Sequence, residues 1–197
     1  YVAALETFVR DRNTLDHRTR ARGLEAALGE IATRYPEDTE ARILHALVIS
    51  ANFDPADKAY TNQMRAGAIL EPLFEARPDH PGVAHYMIHT FDYPPLAAHG
   101  REAAQRYAGI APDAPHALHM PSHVFTRLGL WSDSIVSNQA SADADGGTSF
   151  YFQHAYDYMV YAHLQRAEDG AARAAMRRAL DVDPVDHFGA AFAYAAM

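Results

Sequence analysis

Apolar side chains recur along this chain at helical intervals. In GLEAALGEIATRY, residues 23–35, Leu24, Leu28 and Ile31 fall four and then three apart, which puts them on one face of a helix. AGAILEPLFEARPD, EAAQRYAGIAPD and AARAAMRRALDVDP repeat the pattern, and runs alternating with the period of a strand are missing. Each stretch stops near a proline and an aspartate: YPED at 35–38, RPDHP at 77–81, APDAP at 111–115 and VDP at 182–184. Proline beyond the last turn cannot continue a helix, and an Asp, Thr or Ser after it can cap the next one.

The stop signals are periodic. Pro78 and Pro112 are 34 residues apart, Pro112 and Pro184 are 72 apart, and Pro36 and Pro78 are 42 apart. The last interval fits one unit plus an insertion, the polar loop FDPADKAYTN at 53–62. A helical hairpin repeating every ~34 residues is the mark of a tetratricopeptide-type array, whose units bury their apolar faces only by stacking. The pattern predicts first helices near 39–51, 81–92, 116–129, 149–166 and 186–197. It predicts second helices near 16–35, 60–76, 95–110, 131–144 and 170–181. DADGGTSF at 143–150 reads as a break, with adjacent glycines and a Thr-Ser cap. The expected fold is therefore all-α: a right-handed α-solenoid of about five TPR-like hairpins, one domain over 1–197.

Composition narrows the class. Hydrophobic residues make up 49% of the 197, and no run nears the ~18 apolar residues of a membrane span. A net charge of −8 argues against a nucleic-acid binder. The absence of cysteine removes disulfides and thiolate metal sites. It leaves cytoplasm and periplasm equally open. The chain begins without methionine and ends in the apolar FGAAFAYAAM, so a piece of a longer repeat protein is expected, with any export signal upstream.

The repeat register organises the histidines. His85 and His119 each follow a stop proline by seven residues, and His89 and His123 by eleven. Adding 35 residues to His119 reaches His154, with Tyr158 four further on. Residues four apart share a helix face, so three successive first helices carry one ladder. In such arrays first helices line the concave side. Asp92, Asp157 and Arg127 lie close enough in sequence to edge it.

Imidazole is the commonest metal ligand. The zinc-protease pattern H-E-x-x-H is absent from HYMIH and HMPSH, which lack its glutamate. A site assembled from imidazoles on several helices, for zinc or copper, remains a reading beside the plainer one of histidines hydrogen-bonded between helices. His45 falls nine after Pro36, out of register, and reads as a partly exposed helix residue. His17, His99 and His187 fall near helix ends, and His80 in a turn. Tyr151, Tyr156, Tyr158 and Tyr161 cannot all face one core, and Trp131 reads as the packing residue opening a second helix. Neither a G-x-S-x-G elbow nor a glycine-rich phosphate loop is present.

Several blocks carry a resemblance: DKAYTNQMRAGAILEPLFEARPDHPGVAHYMIH, then FDYPPLAAHGREAAQRYAGIAPDAPHALHMPSH and VFTRLGLWSDSIVSNQAS. This stretch, about 58–141, resembles a family of bacterial tetratricopeptide-repeat proteins. The flanks YPEDTEARILHALVISA and YFQHAYDYMVYAHLQ look like the same family. The resemblance implies an all-α solenoid, usually longer at both ends and sometimes exported. It brings no established activity. His45 departs from it, standing where an aromatic or apolar residue is expected.

The leading expectation is a binding scaffold whose groove holds a peptide, a partner protein or a small polar ligand. It would centre on His85, His89, His119, His123, His154 and Tyr158, with Arg127 and Asp157 at its edge. The competing expectation is a metal-binding protein or metal-dependent enzyme using His85, His89, His119, His123 and His154 for zinc or copper. A third is a spacer whose histidines are satisfied internally.

Overall fold

The computed structural model describes residues 1–147 and 149–181, and every regular element in them is a helix. The order is α1 (Val2–Val9), α2 (His17–Arg34), α3 (Thr39–Ala51), α4 (Thr61–Ala76), α5 (Pro81–Thr90), α6 (Ala97–Ile110), α7 (Pro115–His119), α8 (Pro121–Arg127), α9 (Trp131–Asp145), α10 (Phe150–Gln165) and α11 (Asp169–Leu180). These match the sequence expectations closely, except that α1 is not among the expected helices and the helix expected over 116–129 is divided in two. The helix expected near 186–197, with His187, lies outside the described residues.

The stop signals act through caps. Asp16 accepts from Thr19 N–H at 2.9 Å to start α2, and Asp38 accepts from Ala41 N–H at 3.0 Å to start α3. His80 starts α5 in the same way: its Nδ1 accepts from Val83 N–H at 3.3 Å. Since Nδ1 accepts, Nε2 carries the hydrogen, and it meets Glu40 Oε1 at 2.9 Å. The turn histidine of the sequence is thus a cap that also links α5 to α3. Ser149 caps α10 through Tyr151 N–H at 3.2 Å, and Gly146 ends α9 with φ +67°.

One expected helix, 116–129, is interrupted. Pro121 has no N–H to bond Ala117 O, so the run divides into α7 and α8. Met120 between them keeps helical dihedrals, φ −51° and ψ −38°, and His123 N–H reaches Met120 O at 3.2 Å. The break costs a hydrogen bond without turning the chain away, so His119 and His123 stay on one side.

The chain divides into two compact units, Tyr1–Phe91 and the residues from Asp92 onward. In the first, α1 packs on α2, α2 on α3 and α3 on α4, and α5 rests against α3 and α4. Alanines set the spacing: Ala41, Ala46, Ala66 and Ala84 are wholly buried. Arg65 of α4 pairs with Glu25 of α2 at 2.9 Å, and Asn52 Nδ2 donates to the other Glu25 oxygen at 2.8 Å. In the second unit, α6 packs on α7 and α8, both of those on α9, α9 on α10, and α10 on α11. Phe152, Tyr156 and Met159 of α10 fill the core there, between Ala142 of α9 and Ala175 of α11.

Two glycines test the packing of the first unit. A β-carbon on Gly67 would lie 2.5 Å from Cζ of the buried Phe91, whereas one on Gly23 would meet nothing within 4 Å. Gly67→Ala is expected to lose about 1–3 kcal/mol to overpacking. Gly23→Ala is expected to gain up to about 1 kcal/mol from helix propensity. Urea-unfolding midpoints of the two variants should move in opposite directions, and movement in the same direction would contradict this packing.

Candidate functional site

Four helices of the second unit and the segment ahead of α6 converge on one polar cluster. α7 ends with His119, α8 carries His123 and Arg127, α9 carries Ser134 and Asn138, and α10 carries Phe150, His154 and Tyr158. Asp92 lies ahead of α6. Ring centres of His119 and His154 are 4.5 Å apart, those of His119 and Tyr158 4.9 Å, and those of His123 and Tyr158 5.2 Å. His154 stacks on Phe150 at 5.1 Å with the planes 17° apart.

The hydrogen bonds set the tautomers. Asn138 donates Nδ2–H to Ser134 O at 2.8 Å, so its amide cannot be reversed and its Oδ1 faces His119. That oxygen lies 2.6 Å from His119 Nδ1, which must therefore carry the hydrogen. His123 Nδ1 faces Asp92 Oδ2 at 2.9 Å, with the Tyr158 hydroxyl 3.3 Å from the same nitrogen. A carboxylate only accepts, so His123 also donates from Nδ1. The two Nε2 atoms are left facing each other at 3.0 Å. If both rings are neutral, two lone pairs meet there.

Burial sharpens this. His119 is 1% exposed, and removal from water pushes its pKa down to about 2, with the neighbouring His123 and His154 adding to the effect. His154 is pushed down to about 4, first by burial and then by His123 and His116. Burial would raise the carboxyl of Asp92, but hydrogen bonds and charge from His123 and Arg127 outweigh it and leave the pKa lowered. Arg127 donates from Nε to Asp92 Oδ1 at 2.8 Å, with 41% of its side chain exposed. Burial raises the Tyr158 phenol.

His119, His123, His154, Tyr158 and Arg127 come together, with Asp92 at their edge. Asp157 does not join them. It lines a groove with Val160 of α10 and Met176 and Leu180 of α11, and burial raises its carboxyl. His85 and His89 belong to the first unit, paired on α5 with their Nε2 atoms 3.0 Å apart. His45, also in the first unit, is partly buried beside Gly29 and lines a polar cleft of about 510 Å³ with Arg18, Arg22, Glu25 and Arg65.

Sequence reading missed Asn138, Ser134 and Phe150. A signal for the first two existed. Ser134, Asn138, Ser141 and Asp145 recur at helical spacing on α9, and all four are buried. A polar stripe with the period of a core face marks a helix whose inner side is hydrogen-bonded rather than greasy, although the Ser141 hydroxyl finds no partner.

Acid should unfold this site from within. The unfolded chain takes up protons on histidine below about pH 6.5, whereas buried His119 and His154 do not. Their contribution is complete above that pH and falls as pH drops towards the folded values of about 4 and about 2. His45 and His116, also lowered by burial, act in the same direction. Asp92 begins to lose its contribution only below its ordinary pKa of about 3.9. In buffer with a chelator, the melting temperature is expected to fall between about pH 6.5 and pH 4. His154→Phe should fall less over that window, and an equal fall in calorimetry would contradict the assignment of His154.

No protein-family model matches this chain, and no curated protein matches it in sequence. In structure it is similar to MamA, residues 41 to the end, from Desulfovibrio magneticus RS-1. The TM-score is 0.70 over 92% of this chain and 93% of that one, at 11% identity. MamA is a TPR-containing protein. The likeness is one of fold: this chain is all-α, with the TPR-like helical-hairpin solenoid fold that the period of its prolines predicts.

Proposed function

We propose that this chain is a TPR-type scaffold that binds a peptide or a partner protein through the polar cluster of its second unit. The fold likeness over 92% of the chain carries this reading. Helical-repeat folds of this kind work by offering stacked helix faces to extended ligands. The described helices include none long and apolar enough to cross a membrane.

The chemistry of the cluster's edge narrows the ligand. Arg127 is the exposed member, and its bond to Asp92 uses only Nε. The two terminal nitrogens match the fork that binds a carboxylate. Tyr158, half-buried beside it, offers an aromatic face with a polar tip, the type of group that anchors peptides. A peptide bearing an acidic side chain or a free C-terminus fits this edge.

Selection of displayed peptides against the full chain, followed by calorimetric titration of the enriched sequences, tests the proposal. Binding is expected to weaken at least about tenfold in Arg127→Ala, consistent with loss of a charge-assisted hydrogen bond. The melting temperature should move only modestly, because the arginine is 41% exposed and Asp92 keeps its bond to His123 when it is removed. Failure to enrich peptides over an unrelated helical-repeat protein, or full affinity in Arg127→Ala, would overturn it.

A further inference from the structure

We propose that His119, His123 and His154 form a three-histidine site for a zinc-like divalent transition-metal ion, with Asn138 and Asp92 orienting two of the ligands. The proposal stands apart from peptide binding, and either can fail without the other.

Distances come first. One ring nitrogen from each of the three histidines lies within 4.8 Å of the other two. Two nitrogens bound tetrahedrally to zinc at about 2.0–2.1 Å are about 3.3 Å apart. His119 Nε2 and His123 Nε2, at 3.0 Å, already have nearly that separation. The His154 ring lies beside both, with its centre 4.5 Å from that of His119 and 6.4 Å from that of His123.

Orientation is the stronger point. A metal-bound histidine typically donates its other ring N–H to a carbonyl or carboxylate, which fixes the tautomer and raises ligand basicity. His119 does so to the Asn138 carbonyl and His123 to the Asp92 carboxylate. Those bonds turn both Nε2 lone pairs onto one point. Without a cation, the contact needs a proton held between the two rings.

Chemistry selects the ion. Three neutral imidazoles suit zinc, copper(II) or nickel, whereas magnesium and calcium prefer oxygen. Three protein ligands leave a fourth position for water or another donor. Arg127 opposes the charge of Asp92, so the site carries nearly the full charge of the ion and favours an anionic fourth ligand.

The test uses untagged full chain, stripped with chelator and titrated with zinc against a chromogenic competitor. One equivalent is expected to bind tighter than about 10 µM. His123→Gln and His154→Phe should each lose it. These partly exposed positions spare buried His119, and circular dichroism confirms that the variants are folded. Asp92→Asn should weaken it about 10–100-fold. The double variant His85→Ala/His89→Ala should keep it, which separates the site from weak capture by a surface pair. Cobalt(II) on the parent chain should show the intense visible bands of four-coordinate nitrogen ligation. Absence of saturable zinc uptake, retention in folded His154→Phe, loss in the His85/His89 variant, or a six-coordinate cobalt spectrum would each overturn the proposal.

Discussion

The fixed amide of Asn138 governs the second unit's interior. Its Nδ2 is tied to a backbone carbonyl of its own helix, so its Oδ1 has one direction to face. That direction decides which nitrogen of His119 carries a hydrogen, and so what His119 can offer to His123. Buried polar groups are costly unless paired: stranding one costs about 1–3 kcal/mol. The seam between α7, α8 and α9 pairs many of its polar groups. Ser134 meets Thr126 at 3.0 Å, and Ser137 donates to Leu118 O at 2.5 Å. A core of this kind specifies one register of helix against helix, because a shift by one turn would leave several groups unpaired at once.

Asp92 plays the matching part on the other side. It holds His123 with one oxygen and Arg127 with the other. The first bond faces inward and sets a tautomer. The second faces outward and leaves a cation at the surface. One carboxylate thus ties the interior histidine to the exposed arginine, and Tyr158 packs its ring against His119 and His123.

Proline has two roles in the chain. At the ends of helices it marks the repeat, and at 121 it lies inside what the sequence presents as one helix. The interruption is local because Met120 remains helical. The four-residue spacing of His119 and His123 therefore survives, and a pattern read from an uninterrupted helix still describes the pair.

The sequence by itself determined the elements. Apolar spacing and periodic proline stops are local properties, and they located α2–α6 and α9–α11 because caps and breakers act within a few residues. The histidine register was legible for the same reason: His119, His123, His154 and Tyr158 lie at equivalent repeat positions, and they meet. Convergence belonged to tertiary structure. Asp157 stands next to Tyr158 in sequence yet faces α11, because adjacent helix residues point about 100° apart. Asn138 lies 19 residues from His119 and carries no histidine-like signal, although the polar stripe on α9 does point to a hydrogen-bonded core. Which nitrogen faces which oxygen is settled only when three helices are packed, because a tautomer depends on its partner and not on spacing along the chain.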